Sequence, residues 1–194
     1  MNFKLIVITP EKNHPKEFDL ITSLFTNGLQ QLHVRKPLAS EKELRIYLEQ
    51  IPGKFYKKIV IHSHYKLAKE FNLKGVHLTE KARKAKRVNP SLRIISTSFH
   101  TTTDVLKSRR KYEYVFLSPI FDSISKKGYK SDFDLEKLKP FFKKNKNIVA
   151  LGGLNSKNIK TVKEVGFYSA AVLGAIWLNK NPMKSYKELT LKIK

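Results

Sequence analysis

Eight short apolar segments, spread along the whole chain, constrain its fold more than any other feature. Each has the length and the aliphatic or aromatic content of a β-strand, and most are apolar almost throughout, as strands buried on both faces of a sheet are. They are KLIVIT (4–9), LQQLHV (29–34), KIVIH (58–62), KGVHL (74–78), RIISTS (93–98), YEYVFLS (112–118), NIVALG (147–152) and AAVLGA (170–175). Such strands pair in parallel, which requires long crossover connections.

The segments between these strands carry helix signals. Residues 18–25 place apolar side chains at helical spacing, and Ser40 and Glu43 form a capping box. Gly75 and Gly166 each follow a helix-like segment, where a left-handed C-cap is expected. Eight strands alternating with helices predict an α/β fold, a compact (β/α)8 TIM barrel, with an open doubly wound sheet as the alternative.

Length and composition indicate a small intracellular domain. With 194 residues and 41% hydrophobic content, the chain can build one well-buried core, so we expect residues 1–194 to form a single domain. The absence of cysteine excludes disulfides, thiolate metal sites and a cysteine nucleophile. The N-terminus lacks a basic lead-in and a cleavage motif, and no apolar run approaches the ~20 residues of a membrane span. We therefore expect a cytoplasmic protein.

The strong positive charge does not identify a macromolecular partner. Lysine and arginine number 39 against 16 acidic residues, for a formal charge of +23. The lysines are scattered through every segment instead of forming one arm or stripe, which favours a solvated surface over a nucleic-acid or membrane partner. A basic barrel would attract phosphorylated small molecules.

Two glycine turns indicate a phosphate site. Active-site residues of a TIM barrel follow the C-terminal ends of the strands, and the last two loops commonly bind phosphate. LGGLN and VLGAIW follow strands seven and eight, so we expect Gly152, Gly153, Gly174 and Ala175 to present backbone N–H groups to an anion. The structural alternative is that these glycines only make tight turns.

Strand two ends in His33-Val34-Arg35, which places His33 and Arg35 on one face, the interior or rim of a barrel. An unpaired guanidinium there would be costly, so it should meet an anionic ligand or, alternatively, a carboxylate of the chain. Strand five runs into Ser98 and then His100, a position suited to proton transfer with a ligand. The alternative for His100 is a solvated loop histidine before a helix.

A metal site is not expected from the histidines alone. His62 and His64 form a His-x-His pair and His77 lies in strand four, but no third ligand stands at a fixed spacing from the pair.

The blocks LHVRKP, VIHSHYKLAKEFNLKGVHL, IISTSFHT, YVFLSPIFDSISKKG, IVALGGLN and AAVLGAIW together resemble the thiamine phosphate synthase and TenI (thiazole tautomerase) superfamily over residues 5–177. The resemblance implies a (β/α)8 barrel that binds a thiazole phosphate and, in the synthase, a pyrimidine diphosphate with magnesium. Related barrels often associate, so it also allows for a homo-oligomer.

The resemblance assigns substrate-binding roles along the chain. It matches the glycine turns to the family's backbone phosphate site and Arg35 to the arginine of its Gln-x-Arg-x-Lys block. It also implies that His33 and Ser98 contact the substrate and that His100 shuttles a proton. Ser123, Ser125 and Lys126 match hydroxyl and lysine positions of the loop after strand six.

Departures from the family pattern decide the predicted reaction. His33 replaces the glutamine and Pro37 the lysine of that block, while Ser63 and Ala82 replace two magnesium-binding aspartates, with Glu80 as a weak substitute. The sequence therefore predicts a metal-independent isomerase, a TenI-like thiazole tautomerase without a cofactor. Thiamine phosphate synthase with magnesium is the first alternative, and a non-catalytic barrel that binds a phosphate ligand is the second.

Overall fold

A closed barrel of eight parallel strands forms the centre of the molecule. The computed structural model describes residues 3–85, 91–108, 112–122, 131 and 133–194. The strands are β1 (Lys4–Ile8), β2 (Gln31–Val34), β3 (Ile59–Ile61), β4 (Gly75–Leu78), β5 (Ile94–Phe99), β6 (Tyr114–Leu117), β7 (Ile148–Leu151) and β8 (Ser169–Val172). Each strand pairs in parallel with the next, and β8 pairs with β1. The predicted (β/α)8 barrel is therefore confirmed, and the open sheet is excluded.

Helices alternate with the strands on the outside of the barrel. They are α1 (Glu17–Thr26), α2 (Glu41–Glu49), α3 (Lys66–Glu70), α4 (Glu80–Lys84), α5 (Thr102–Lys107), α6 (Leu135–Lys144), α7 (Ile159–Val165), α8 (Gly174–Trp177) and α9 (Pro182–Ile193), with a 3-10 turn at Gly53–Lys58. The capping box of Ser40 and Glu43 is present at the start of α2. No helix among the described residues is long and apolar enough to cross a membrane.

Two predicted boundaries are wrong for identifiable reasons. The eighth strand ends at Val172 instead of residue 175, because α8 already begins at Gly174. Gly75 opens β4 and does not cap α3, after which Asn72 takes the left-handed conformation with φ 51°. A Cβ on Gly75 would lie 2.4 Å from the carbonyl oxygen of Arg93, so the close approach of β4 and β5 requires glycine.

The apolar core has two parts, one between barrel and helices and one inside the barrel. The inner part includes Ile6, Val60, Phe116 and Val149, whose side chains point inward at the alternating positions of their strands. Trp177 of α8 donates its indole N–H to the carbonyl oxygen of Ile8 at 2.7 Å. This bond connects the last β/α unit with the end of the first strand.

A buried ion pair fixes the chain where it leaves β2. The Lys36 ammonium lies 2.9 Å from the Glu17 carboxylate, and the two side chains are 3% and 1% exposed. The same carboxylate accepts hydrogen bonds from the Tyr47 hydroxyl at 2.6 Å and from the backbone N–H of His14 at 2.9 Å. Because Lys36 directly follows Arg35, this network holds the segment that carries the predicted anion-binding guanidinium.

Candidate active site

A cavity of about 510 Å³ opens at the C-terminal mouth of the barrel, where the fold predicts the site. Each of the eight strands contributes residues at or near its C-terminal end to the wall, and β3 does so through His62, which directly follows it. The lining residues are Ile8, Pro10, Glu11, Arg35, His62, His77, Thr79, Glu80, Ser98, His100, Phe116, Ser118, Leu151 and Leu173.

Arg35 lines this cavity and is also paired with a carboxylate of the chain. Its Nη1 lies 2.5 Å from Glu11 Oε1, and the two side chains are 33% and 43% exposed. The Arg35 backbone N–H donates to the Thr9 hydroxyl at 2.9 Å, which fixes the end of β2 against β1. The guanidinium thus faces the cavity and pairs with a carboxylate of the chain, while an anionic ligand at Arg35 stays a prediction.

His33 lies deeper than predicted. It is fully buried, two residues below Arg35 on the same inward face, a distance of roughly 7 Å along a strand. A hydrogen bond of 2.8 Å joins its Nδ1 to His62 Nε2, and its Nε2 lies 2.5 Å from the Tyr114 hydroxyl. His33 therefore does not line the cavity as Arg35 does. Alternation along the strand shows that the two residues share a face, but it does not show that they differ in depth.

Ser98 and His100 both line the cavity, as the sequence predicts. Ser98 Oγ lies 3.2 Å from His77 Nε2. His100 Nδ1 donates to the carbonyl oxygen of Ser118 at 2.8 Å, because a carbonyl only accepts. In the neutral imidazole, His100 Nε2 then carries the lone pair and can accept a hydrogen bond from a ligand.

The glycine turns directly follow cavity-lining residues. Gly152 and Gly153 have φ angles of +100° and +65°, the left-handed region that favours glycine, and come just after Leu151 of β7. Gly174 begins α8 just after Leu173, and Ala175 follows within the same turn. Both turns thus lie beside the wall of the cavity.

Gly153→Ala is expected to lower the free energy of unfolding by about 2–3 kcal/mol, against about 1 kcal/mol for Gly28→Ala. Both glycines have positive φ, but a Cβ on Gly153 would lie 2.3 Å from the Asp122 carbonyl oxygen, whereas one on Gly28 meets nothing within 4 Å. Urea unfolding of the two variants separates steric contact from backbone strain. Equal losses would show that the close approach at Gly153 is unimportant.

Other predicted residues lie either outside the described residues or in α4. Ser123, Ser125 and Lys126 lie outside the described residues. Ala82 lies inside α4, where its backbone N–H donates to the capping hydroxyl of Thr79. Glu80 lines the cavity, and its carboxylate pairs with Lys84 at 2.6 Å, which lowers its pKa.

A cluster of three buried histidines is the feature that sequence reasoning missed. His33, His62 and His77 come from β2, the end of β3 and β4, and their ligand nitrogens lie within 4.8 Å of one another. His64 is not part of the cluster, since its Nε2 contacts the carbonyl oxygen of Ala39 at 2.7 Å. The available signal was that each of the three occupies an inward position on neighbouring strands.

Burial lowers the pKa of all three histidines, to about 3 for His77 and well below 6.5 for His33 and His62. Repulsion among the three, and from Arg35 and Lys74, adds to the effect of burial. The folded protein therefore keeps them neutral, while the unfolded chain protonates them as the pH falls below about 6.5. Protons bind mainly to the unfolded state, so acid favours unfolding.

In buffer containing EDTA, the free energy of unfolding is expected to fall by about 4 kcal/mol between pH 7.5 and pH 5.5, in roughly equal parts from the three histidines. Urea titrations at the two pH values measure this loss. His62→Gln should reduce the loss by about one third, since one proton fewer is taken up. Stability that is equal at both pH values would contradict the burial of neutral histidines.

Comparisons with known proteins agree with the barrel. A family model described as thiamine monophosphate synthase matches residues 5–176. A solved thiamine phosphate pyrophosphorylase of Bacteroides thetaiotaomicron is 32% identical, with a TM-score of 0.83 over 98% of this chain and 97% of that one. Thiamine-phosphate synthase of Clostridium tetani is 29% identical over 84% of this chain and 81% of its own length.

A more distant solved structure supports the fold alone. Thiamine phosphate pyrophosphorylase of Pyrococcus furiosus is 21% identical, with a TM-score of 0.82 over 99% of this chain and 96% of that one.

The predicted TenI-like tautomerase, an isomerase, is wrong. The curated relative reported above is named a synthase and the solved structure with 32% identity a pyrophosphorylase, and neither is named a tautomerase. The prediction rested on the missing charged groups at Pro37, Ser63 and Ala82 and on the histidines His33 and His100. The similarity to synthases extends over the whole barrel.

The family model matches most of the chain, including the residues that form the strands, the cavity and both glycine turns. This match is sufficient to assign the chain to a family. The chain belongs to the thiamine monophosphate synthase family.

Proposed function

We propose that this protein is a thiamine phosphate synthase, which joins a pyrimidine diphosphate to a thiazole phosphate and releases diphosphate. The observation that carries the proposal is the match to the Bacteroides thetaiotaomicron pyrophosphorylase, at 32% identity over 98% of this chain and 97% of that one. A cavity of about 510 Å³ is within the usual range for a small-molecule site.

Groups on and beside the cavity wall can be assigned to two phosphorylated substrates. We assign the diphosphate to Arg35, because a guanidinium can bind phosphate oxygens through two parallel N–H groups. Ser98 and His100 are assigned hydrogen bonds to the heterocycles, with His100 accepting through Nε2. The thiazole phosphate is assigned to backbone N–H groups of the two glycine turns, at Gly152, Gly153, Gly174 and Ala175.

Three residues that follow β6 in the sequence also belong to the proposed site. The resemblance to the family assigns the hydroxyl groups of Ser123 and Ser125 and the ammonium group of Lys126 to the bound substrates. His33 acts from below the cavity in this proposal, as a buried group that supports the wall.

The described residues do not fit the carboxylate pair that the family resemblance implies for magnesium. Ser63 and Ala82 supply no carboxylate at the two expected positions. The acidic side chains on the cavity wall, Glu11 and Glu80, are each ion-paired, with Arg35 and Lys84. We therefore derive no step through magnesium and assign the neutralisation of the departing diphosphate to the positive groups of the chain.

The proposal is tested with the purified chain, thiazole phosphate and pyrimidine diphosphate, in parallel reactions with magnesium and with EDTA. We expect thiamine phosphate and pyrophosphate in equal amounts when both substrates are present, and neither product when one is omitted. Binding of both substrates by calorimetry without product in either buffer would contradict the proposal and favour a non-catalytic barrel.

A further inference from the structure

Three histidines meet inside the barrel at the floor of the cavity. His33, His62 and His77 are 0%, 8% and 3% exposed, and one ligand nitrogen of each lies within 4.8 Å of the other two. The rings of His62 and His77 are stacked with centroids 4.1 Å apart, and His33 meets both edge-on. Three imidazoles in such proximity are an unusual content for a buried core, since histidine is not among the residues most often fully buried.

The hydrogen bonds around the cluster orient the rings. His77 Nδ1 lies 2.8 Å from the Ser96 hydroxyl, and His33 Nε2 lies 2.5 Å from the Tyr114 hydroxyl. With its Nε2 held in this way, His33 directs Nδ1 towards His62 Nε2 at 2.8 Å. Ligating histidines in proteins are commonly held by a hydrogen bond to their second ring nitrogen in the same way.

The spacing of the nitrogens is close to what a metal ion needs. Metal–nitrogen distances of about 2.0–2.1 Å in tetrahedral geometry place ligand nitrogens roughly 3.4 Å apart. The shortest pair, His33 Nδ1 and His62 Nε2, is at 2.8 Å, and the ligand atoms lie no more than 4.8 Å apart. Small movements of the rings would therefore break the hydrogen bond between His33 and His62 and allow the nitrogens to bind one ion instead.

An ion can reach the cluster, and the two cations that act on it, Arg35 and Lys74, each have a carboxylate partner. His62 and His77 line the open cavity, which provides an entry path. The nearby guanidinium of Arg35 is paired with Glu11 at 2.5 Å, which offsets its charge. Burial keeps the three imidazoles neutral, so each retains a lone pair for a metal.

We propose that His33, His62 and His77 bind one divalent transition-metal ion of the zinc class, with a fourth coordination position facing the cavity. Three imidazoles suit zinc, copper, nickel and iron, whereas magnesium and calcium prefer oxygen ligands. The site thus differs in its residues and chemistry from the magnesium site that the family resemblance implies at Ser63 and Ala82.

Cobalt is the probe for the wild-type protein, because Co²⁺ occupies zinc sites and its visible absorption reports coordination. The full chain is stripped with EDTA, dialysed and titrated with Co²⁺, and Zn²⁺ is then added. We expect intense absorption bands of four- or five-coordinate cobalt that saturate at one ion per chain and disappear with zinc. Only the weak bands of six-coordinate hydrated cobalt would overturn the proposal.

Matched variants identify the ligands. Metal content after dialysis against Zn²⁺ should be one ion per chain for wild-type and for His64→Gln, and should be lost in His62→Gln and His77→Gln. His64 is the control because it lies two residues from His62 but contacts Ala39 instead of the cluster. Full zinc content in His62→Gln, or loss in His64→Gln, would overturn the assignment.

A variant outside the coordination sphere keeps the test valid if a histidine variant fails to fold. Ser96→Ala removes the hydroxyl next to His77 Nδ1 and leaves all three ligands in place. We expect it to weaken cobalt binding roughly 10- to 100-fold, as loss of a supporting hydrogen bond does at other metal sites. Unchanged affinity would contradict the arrangement of ligand and support described above.

Discussion

Lys36→Met is expected to lower the free energy of unfolding by about 3–5 kcal/mol. The substitution keeps most of the apolar stem and removes the ammonium, so it leaves the Glu17 carboxylate, 1% exposed, without its positive partner. The Tyr47 hydroxyl and the His14 N–H still donate to that carboxylate, but two neutral donors do not replace a charge in a buried position. Urea unfolding at neutral pH measures the loss.

Lys66→Met is the matched control. The Lys66 ammonium lies 2.9 Å from the Glu41 carboxylate, the same separation as in the buried pair, but the side chains are 72% and 34% exposed. Water and salt screen this pair, so its loss should cost between about 0 and 1 kcal/mol. If the two lysine variants are equally stable, then burial does not decide the energy of the Lys36 pair and the account of the network is wrong.

Arg35→Met is expected to reduce kcat/KM for thiamine phosphate formation roughly 10²- to 10³-fold. We assign Arg35 to the diphosphate, where negative charge develops as the bond to the leaving group breaks. Stability should change by less than about 1 kcal/mol, because the pair with Glu11 is exposed on both sides. Steady-state kinetics and urea unfolding of the same preparation separate the two effects.

Arg45→Met provides the comparison for this prediction. Arg45 has the same side-chain exposure of 33% and is also paired with a glutamate, Glu70, but it lies on α2, outside the barrel. Both variants remove one positive charge, so general attraction of anionic substrates falls equally in the two. A similar loss of activity in Arg45→Met would indicate a long-range charge effect and contradict the assignment of Arg35 to the site.

The barrel could be predicted from the sequence because the signals are local. Apolar runs, a capping box and the glycine of a C-cap such as Gly166 each act within a few residues. The repetition of the apolar runs eight times leaves few topologies. The error at β8 has the same origin, since the apolar run at 170–175 does not reveal that α8 begins at Gly174.

The site was only partly predictable, because depth inside a barrel depends on strand tilt and register. Alternation correctly put His33 and Arg35 on one face, but only the pairing of β1, β2 and β3 shows that His33 is in the core and Arg35 at the mouth. The same register brings His62 beside His77 and leaves His64 outside. The buried Lys36 was also hidden, because lysine is almost always exposed and its partner Glu17 is distant in sequence.

The reaction was mispredicted because local departures were weighed above similarity over the whole chain. Ser63 and Ala82 bear on how one cation is held, and they say little about which substrates the cavity accepts. The family match covers residues 5–176, which include every strand but the first residue of β1.

A single-turnover reaction tests most directly whether this cavity joins two phosphorylated heterocycles. The protein is held in excess over pyrimidine diphosphate, thiazole phosphate is added, and the products are identified by mass. We predict one thiamine phosphate and one pyrophosphate for each pyrimidine diphosphate consumed. Recovery of unchanged pyrimidine diphosphate, or its hydrolysis without thiamine phosphate, would contradict the proposed synthase.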